Sequence, residues 1–352
     1  MSSIDFVIPW VDGNDPEWQK QKRSACSEFM DDRPQRYRDW GLLRYWFRGV
    51  EAFTPWVNRI HFITWGHLPP WLNTQHPKLH IVRHEDYIPA EYLPTFSSHV
   101  IELNMHRVDG LSRQFVYFND DMFLLRPLKE TDFFRNGLPC DSALMNPVAT
   151  DDLCKPGNGG KIFSIPYNNV QYLNRDFDMR QSMKDHWRKW YNLRYGSYLL
   201  RNLLLSIWPR FVGFVDLHLA QPFLKTSFEE AWARDEDILD ATCRHAIRND
   251  HDVNQWLIRY RQLAQGRFAP VKPITHGTFQ LGNVTEYQSL TTCIRQREKA
   301  MICINDGLME DESSIQNELH RLFSSVFPQK SQFEIYIKEI LNHETGYYLW
   351  DV

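Results

Sequence analysis

Two adjacent carboxylates, Asp120-Asp121, stand where the apolar run Gln114–Phe118 stops. At a strand end such a pair can hold a hard cation, Mg2+ or Mn2+, through oxygen ligands; on a solvated turn it would hold nothing. Arg44 and Arg48 are four apart and so share one face of a helix. Two guanidinium groups side by side suit phosphate oxygens, although a plain solvated basic face has the same spacing. His99, Glu102 and His106 also fall on one helix face, which puts Glu102 one helix upstream of the acidic pair. Farther along, His218 lies just before Pro222, and Arg248 lies in Arg244–Asp250. A neutral imidazole can take a proton from a sugar hydroxyl near pH 7, and an arginine can offset charge on phosphoryl oxygens. Cation, guanidiniums and base are what transfer from a nucleoside diphosphate sugar requires. With 14 histidines in the chain, residue type alone does not single out His218.

The elements around these residues must bring them together. Ile4–Val11 is a β-rich run that stops at Asp12-Gly13-Asn14-Asp15-Pro16, a strong turn signal. Asp39–Phe53 has Leu42, Leu43, Trp46, Phe47 and Val50 at helical spacing. Arg59–Thr64 and Leu79–Arg83 read as strands, Ser98–Val108 as a helix, and Gln114–Phe118 as the strand that carries the acids. Alternation of this kind predicts an α/β fold with a mainly parallel, Rossmann-like sheet flanked by helices. In such sheets ligands lie beyond the carboxyl ends of the strands. Trp10-Val11-Asp12-Gly13, Thr64-Trp65-Gly66 and Asn119-Asp120-Asp121 are three such ends, so Trp10, Asp12, Gly13 and Thr64 join the candidates. No GxGxxG is present, which argues against dinucleotide chemistry.

Three stretches follow from this pattern: an α/β half over 1–150, a mostly helical region over 151–268, and a closing strand and helix within 269–352. Lys299–Asn305 reads as a strand that rejoins the first sheet, ending at Asn305-Asp306-Gly307, and Ser313–Phe327 as an amphipathic helix. The glycine-rich Lys155–Lys161 lacks the GKS/T ending of a phosphate loop and reads as a mobile loop with two lysines.

A formal charge of −4 offers no basic field for nucleic acid, so a polyanionic substrate would need a local cluster of Arg and Lys. Thirteen Trp fit either sugar-binding surfaces or a large core. Six scattered cysteines without a CxxC pair fit a reducing compartment. Neither a signal peptide nor an apolar stretch of roughly 18 residues is visible, and the expectation is a cytoplasmic protein. Residues 186–215 mix Trp, Tyr, Leu and Arg, and read either as a buried helical pair with basic rims or as an interfacial helix resting on a membrane.

Four blocks, in order, resemble the Stealth family of sugar-1-phosphate transferases. These make bacterial capsules and exopolysaccharides, and the animal N-acetylglucosamine-1-phosphotransferase is a relative. The first block is Ile4–Pro16. The second and longest runs from Arg38-Asp39 through Leu43-Arg44-Tyr45, Pro70-Trp71-Leu72-Asn73 and Leu93–Ser98 to Tyr117–Asp121. A looser third runs from His218 to Arg248, and the fourth is Ile302–Asp306 followed by Phe327-Pro328 and Ser331–Glu334. The chain lacks the inserted modules and membrane spans of the large animal relatives, so lysosomal tagging is not implied.

The resemblance implies a UDP-sugar donor, attack on its β-phosphorus, a saccharide acceptor and UMP as leaving group. By position, Trp10, Asp12, Arg44 and Arg48 would lie at the donor. Glu102, Asp120, Asp121, His218 and Arg248 would form the reacting centre, closed by Asn305-Asp306, with Asp306 joining Asp120 and Asp121 at the metal. The first stretch would then bind the donor and the helical region the acceptor. The base is His218 or Asp121. Two rivals are a metal-dependent glycosyltransferase that releases UDP and a non-enzymatic carbohydrate-binding protein.

Overall fold

A computed structural model describes residues 3–25, 37–148, 161–274, 277–307 and 311–335. Its strands are β1 (Ile4–Trp10), β2 (Ile60–Thr64), β3 (Leu79–Arg83), β4 (Gln114–Tyr117), β5 (Met122–Leu124), β6 (Phe134–Arg135), β7 (Leu138–Asp141), β8 (Gln221–Leu224), β9 (Ala269–Pro270), β10 (Thr278–Gln280) and β11 (Met301–Asn305). The main sheet has the order β3-β2-β1-β4-β8. Its first four strands are parallel, and β8 runs antiparallel to β4. Hydrophobic residues on alternate sides of β1 enter different cores. Phe6 and Ile8 pack with Trp46, Phe47 and Phe323, while Val7 packs with Val100, Leu103 and Leu257. A central strand buried on both faces needs helices on both, and this explains its nearly unbroken apolar sequence.

Parallel pairing puts the carboxyl ends of β1, β2 and β4 on one edge, with Trp10 opposite Thr64. Because β8 is antiparallel, it starts at that same edge, with Gln221 opposite Tyr117. The loop that carries His218 is thereby delivered to the end of β4.

One expected connection differs. The strand over Lys299–Asn305 does not rejoin the main sheet. As β11 it pairs parallel with β10 and antiparallel with β5, in a separate three-stranded sheet. The short β5 leaves the acidic turn in a new direction and provides a free edge there. Helix Glu312–Val326 follows, and Leu319, Leu322 and Phe323 join the core beneath helix Leu43–Phe53.

Between β7 and β9 the chain is mostly helical, including Lys161–Asp176, Lys225–Arg234, Glu236–Cys243 and Gln255–Ala264. Buried ion pairs fix these helices. Arg259 forks onto Asp141 and also reaches Asp216 at 2.7 Å, and Arg261 pairs with Asp176 and Asp235. Asp216 also accepts from the Tyr260 hydroxyl, which anchors the segment two residues before His218. Residues 186–215 do not form a buried helical pair. They break into Trp187–Trp190, a 3-10 turn and helix Tyr198–Leu205, and leave several large apolar side chains exposed. The glycine-rich run 155–160 lies outside the described residues.

Candidate active site

At Phe118 the chain makes its last bond to β1, Phe118 N–H to Val7 O at 2.9 Å, and then turns through Asn119-Asp120-Asp121 into β5. The antiparallel register of β5 and β11 pairs Met122 with Cys303, and Ile304 N–H donates to Asp121 O at 2.8 Å. Asn305 and Asp306 therefore arrive beside the acidic turn. The segment before β8 comes in from the other side with His218.

These three segments converge on the imidazole. His218 Nδ1 is 3.0 Å from Asn305 Oδ1, 3.4 Å from Cys303 Sγ and 3.9 Å from Asp121 Oδ2. The amide nitrogen of Asn119 is 2.5 Å from Nε2. An acceptor at Nδ1 and a donor at Nε2 assign the proton to Nδ1 and leave the lone pair on Nε2. The side chain of His218 is 37% exposed, which a group that must meet a substrate requires. Behind it lies a buried relay. The Tyr117 hydroxyl donates to Glu102 Oε1 at 3.0 Å, and Arg248 donates to Ser98 Oγ at 2.6 Å. Burial raises the Glu102 carboxyl to about 7 against the opposing pull of Arg248, and both Tyr117 and His218 act on the same group.

That shift has a measurable consequence. Glu102 keeps its proton in the folded state between about pH 4 and 7, whereas the unfolded chain has lost it above about 4.3. The stabilisation is complete below the unfolded value and is lost as pH rises through the folded one, at up to about 1.4 kcal/mol per pH unit. Thermal melts of Glu102→Gln across that window are expected to show a flatter slope than the parent chain. An unchanged slope would mean that Glu102 is ionised throughout.

Burial outweighs the counter-charges that reach the acids. Asp120 is exposed at the mouth, yet crowding by protein, then repulsion from Asp121 and Asp39, raises its carboxyl to about 8. Burial also raises Asp121, opposed by His218, and raises Asp306, opposed by Arg38. Asp121 Oδ1 and Asp306 Oδ2 are buried oxygens with no hydrogen-bond partner. Asp121, His218 and Cys303 offer ligand atoms within 4.8 Å of one another. Burial and the two neighbouring acids push the Cys303 thiol well above its ordinary range and keep it protonated. Within this group the one anionic ligand is thus the Asp121 carboxylate, an oxygen donor of the kind Mg2+ or Mn2+ takes, and Asp120 and Asp306 are not among its ligand atoms.

Next to the acids lies a narrow cleft lined by Trp10, Asp39, Trp40, Asp120 and Asp121. It shares Arg38, Asp39 and Trp40 with a larger recess of about 550 Å³, whose walls include Gly13, Trp18, Lys22, Tyr37 and Glu312. Trp10 Nε1–H donates to Asp39 at 3.3 Å, and Asp12 caps its own turn at Asn14 while its N–H donates to His67 Nε2. At Gly13 a Cβ would come within 2.0 Å of Tyr37 O, so only glycine lets those two loops approach. Arg38 contacts Asp306 at 3.4 Å and Glu312 at 2.6 Å, and lies over Trp40.

Asp121 and His218 are brought together, with Asp120 beside Asp121 in the cleft wall; Asp306 follows Asn305 and is held by Arg38; Glu102 feels both His218 and Arg248; Trp10 and Gly13 border the adjoining cavities. Three expected contacts are not made. Arg48 is 8% exposed and forks onto Glu334, with both nitrogens at 2.7 Å, while a third nitrogen binds Phe327 O. It locks the C-terminal segment to its helix and lines neither cavity. Thr64 is fully buried and bonds His67 O at 2.6 Å, so it builds the turn after β2 and does not touch a ligand. Arg44 lies over Trp71, outside the residues that line either cavity. The arginine that does line both is Arg38, which the helical spacing of Arg44 and Arg48 gave no reason to choose. Arg38, Asp39 and Trp40 precede the helix in an irregular turn closed by Gly41 at φ +71°, and carry no periodic signal.

Comparison with known proteins identifies relatives of this chain. Conserved region 1 of the Stealth proteins matches residues 2–25, conserved region 2 matches residues 36–140 and conserved region 4 matches residues 292–340. The capsular polysaccharide phosphotransferase WcwK of Streptococcus pneumoniae is 41% identical over 349 residues, covering 95% of this chain and 99% of that one. The exopolysaccharide phosphotransferase cps2G of Lactiplantibacillus plantarum is 37% identical over 337 residues, covering 94% and 96%. Among solved structures, the galactosyltransferase LgtC bound to donor and acceptor sugar analogs matches at a TM-score of 0.39 and 10% identity, over 91% of this chain and 95% of that one. That likeness is too remote to carry an argument. Identity of this order over nearly the whole length establishes that the chain belongs to the Stealth family of sugar phosphotransferases and is an enzyme of that class.

Proposed function

We propose that this enzyme transfers hexose-1-phosphate, or N-acetylhexosamine-1-phosphate, from a UDP-sugar to a sugar hydroxyl and so forms phosphodiester links in a capsular or other surface polysaccharide. The observation that carries the reading is the meeting of His218, Asn305, Asn119 and Asp121 at the mouth of a cleft walled by acids, aromatics and Arg38. The acceptor oxygen attacks the β-phosphorus and forms the new P–O bond. The bond from that phosphorus to the bridging oxygen breaks, UMP leaves with the oxygen, and the sugar keeps its own C1–O bond. The acceptor proton goes to Nε2 of His218. Asn305 holds the proton on Nδ1, and Arg248, bonded to Ser98, would offset charge on the phosphoryl oxygens. Asp120, Asp121 and Asp306 would hold a divalent cation, which supplies charge neutralisation at the diphosphate when bound.

On this reading the α/β half over 1–150 binds the donor and the helical region over 151–268 presents the acceptor. Catalysis is in the cytoplasm. Among the described residues no helix is long and apolar enough to cross a membrane.

The test is a screen of UDP-sugars with a saccharide acceptor, followed by phosphorus NMR of the products. UMP and a phosphodiester are expected. UDP and a new glycoside would make the enzyme a glycosyltransferase, and no turnover of any donor would leave a binding protein. Exhaustive chelation is expected to abolish turnover, and added Mg2+ or Mn2+ to restore it. Turnover that survives chelation would remove the cation from the reaction.

A further inference from the structure

We propose that residues 187–210 form a docking surface for an anionic lipid bilayer. Eleven large hydrophobic side chains are exposed among the described residues, and seven of them fall between Trp187 and Trp208. Their clustering is the first observation. On helix Tyr198–Leu205 and its extension, Leu200, Leu203, Leu204 and Ile207 are 62%, 50%, 61% and 68% exposed. The spacing i, i+3, i+4, i+7 puts all four on one face.

The opposite face of that helix explains why this is not a poorly packed core element. Its buried residue is polar. Asn202 is fully buried, donates to Ala143 O at 2.6 Å and Trp190 O at 3.1 Å, and accepts from Met145 N at 2.9 Å. The helix is thus held to the protein by this amide together with Leu205, which packs on the core, while Leu200, Leu203 and Leu204 point outward. Folding gains nothing from apolar residues placed there, because they stay in water. A partner phase that removes them from water does gain. Leu193 at 86% exposed and Trp187 at 56% extend the patch to either side.

Charge selects the occupant. Residues 186–215 contain Arg188, Lys189, Arg194, Arg201 and Arg210 and no Asp or Glu, in a chain of net charge −4. Lys189 is turned inward to Gly266 O, but Arg188, Arg194 and Arg210 are exposed around the apolar face. Apolar residues in the centre and arginines at the rim suit acyl chains below anionic headgroups. A second copy of this chain fits poorly, because a two-fold contact through the same patch would bring the arginines of both copies together. The patch ends at Arg210, eight residues before His218, so docking would hold the acceptor side of the active site near the bilayer. The surface argument itself does not depend on the reaction proposed above.

The experiment is co-sedimentation of the whole enzyme with vesicles of phosphatidylcholine alone and of phosphatidylcholine mixed with phosphatidylglycerol. Binding is expected to the mixed vesicles, weakened by salt, with little to the neutral ones. The triple variant L200E/L203E/L204E is expected to lose about tenfold or more of that binding, with circular dichroism melts and turnover on a soluble acceptor unchanged. R194E/R210E is expected to lose the preference for phosphatidylglycerol. Failure of the parent chain to bind mixed vesicles, or equal binding by the triple variant, would overturn the proposal. So would a parent dimer in sedimentation velocity that the triple variant converts to monomer, since the patch would then be a subunit interface.

Discussion

An H218A enzyme is expected to lose about 10²–10⁴-fold in kcat, with KM for the donor and the thermal midpoint little changed. The size follows from what the imidazole does and the selectivity from where it is. Its Nε2 carries the lone pair because Asn305 takes the Nδ1 proton at 3.0 Å. Its side chain is 37% exposed and so contributes little packing. Its neighbours among the described residues, Asn119, Cys303 and Asn305, offer no basic nitrogen, and Asp121 is 3.9 Å away on the Nδ1 side. The acceptor hydroxyl must displace the Asn119 amide, now 2.5 Å from Nε2. Asn305→Ala is expected to lose less than H218A, since the base remains but its tautomer is no longer fixed. Single-turnover rates at saturating donor check both. Undiminished turnover in H218A would end the assignment and pass the role to Asp121.

Arg48→Ala is expected to destabilise the fold by about 3–5 kcal/mol, the cost of leaving one partner of a buried ion pair uncompensated. Glu334 is 2% exposed at its side chain. Burial pushes its carboxyl up, but Arg48 and the Ser331 donors outweigh burial and hold it below its ordinary range. A depressed folded value contributes stability above the unfolded pKa and loses it as pH falls through the folded one. The difference between parent and Arg48→Ala should therefore shrink below about pH 4. Arg48→Lys keeps the charge but loses the fork, and should fall in between. Denaturant melts measure these terms. Donor affinity distinguishes the structural role from the one the sequence suggested. If the Arg48→Ala chain, assayed where it is fully folded, lost donor binding and kept its stability, Arg48 would belong to the cleft after all.

Much of the framework was legible because it depends on local rules. The apolar run that became β1, the helix over Leu43–Phe53 and the strand-end position of Asp120-Asp121 follow from periodicity and turn chemistry. The family was legible from ordered blocks. Arg44 and Arg48 show where such reasoning stops. Spacing of four fixes which helix face a residue shares but not what that face meets, and here the face meets Trp71 and Glu334. Thr64 fails for a related reason, since a strand end can point its hydroxyl into its own turn.

The sequence by itself determined the order of the first four strands and the helices between them, the acidic pair at the end of β4 and the membership of a phosphotransferase family, because each is written in neighbouring residues. Only the tertiary structure decided that β11 would pair with β5, that His218 would arrive on an antiparallel strand, and that Arg38 and Asp39 would wall the cleft. Those depend on which strand edges remain free once the core has closed. Contacts across 87 residues between His218 and Asn305, or 268 between Arg38 and Asp306, are set by global packing that no local pattern encodes.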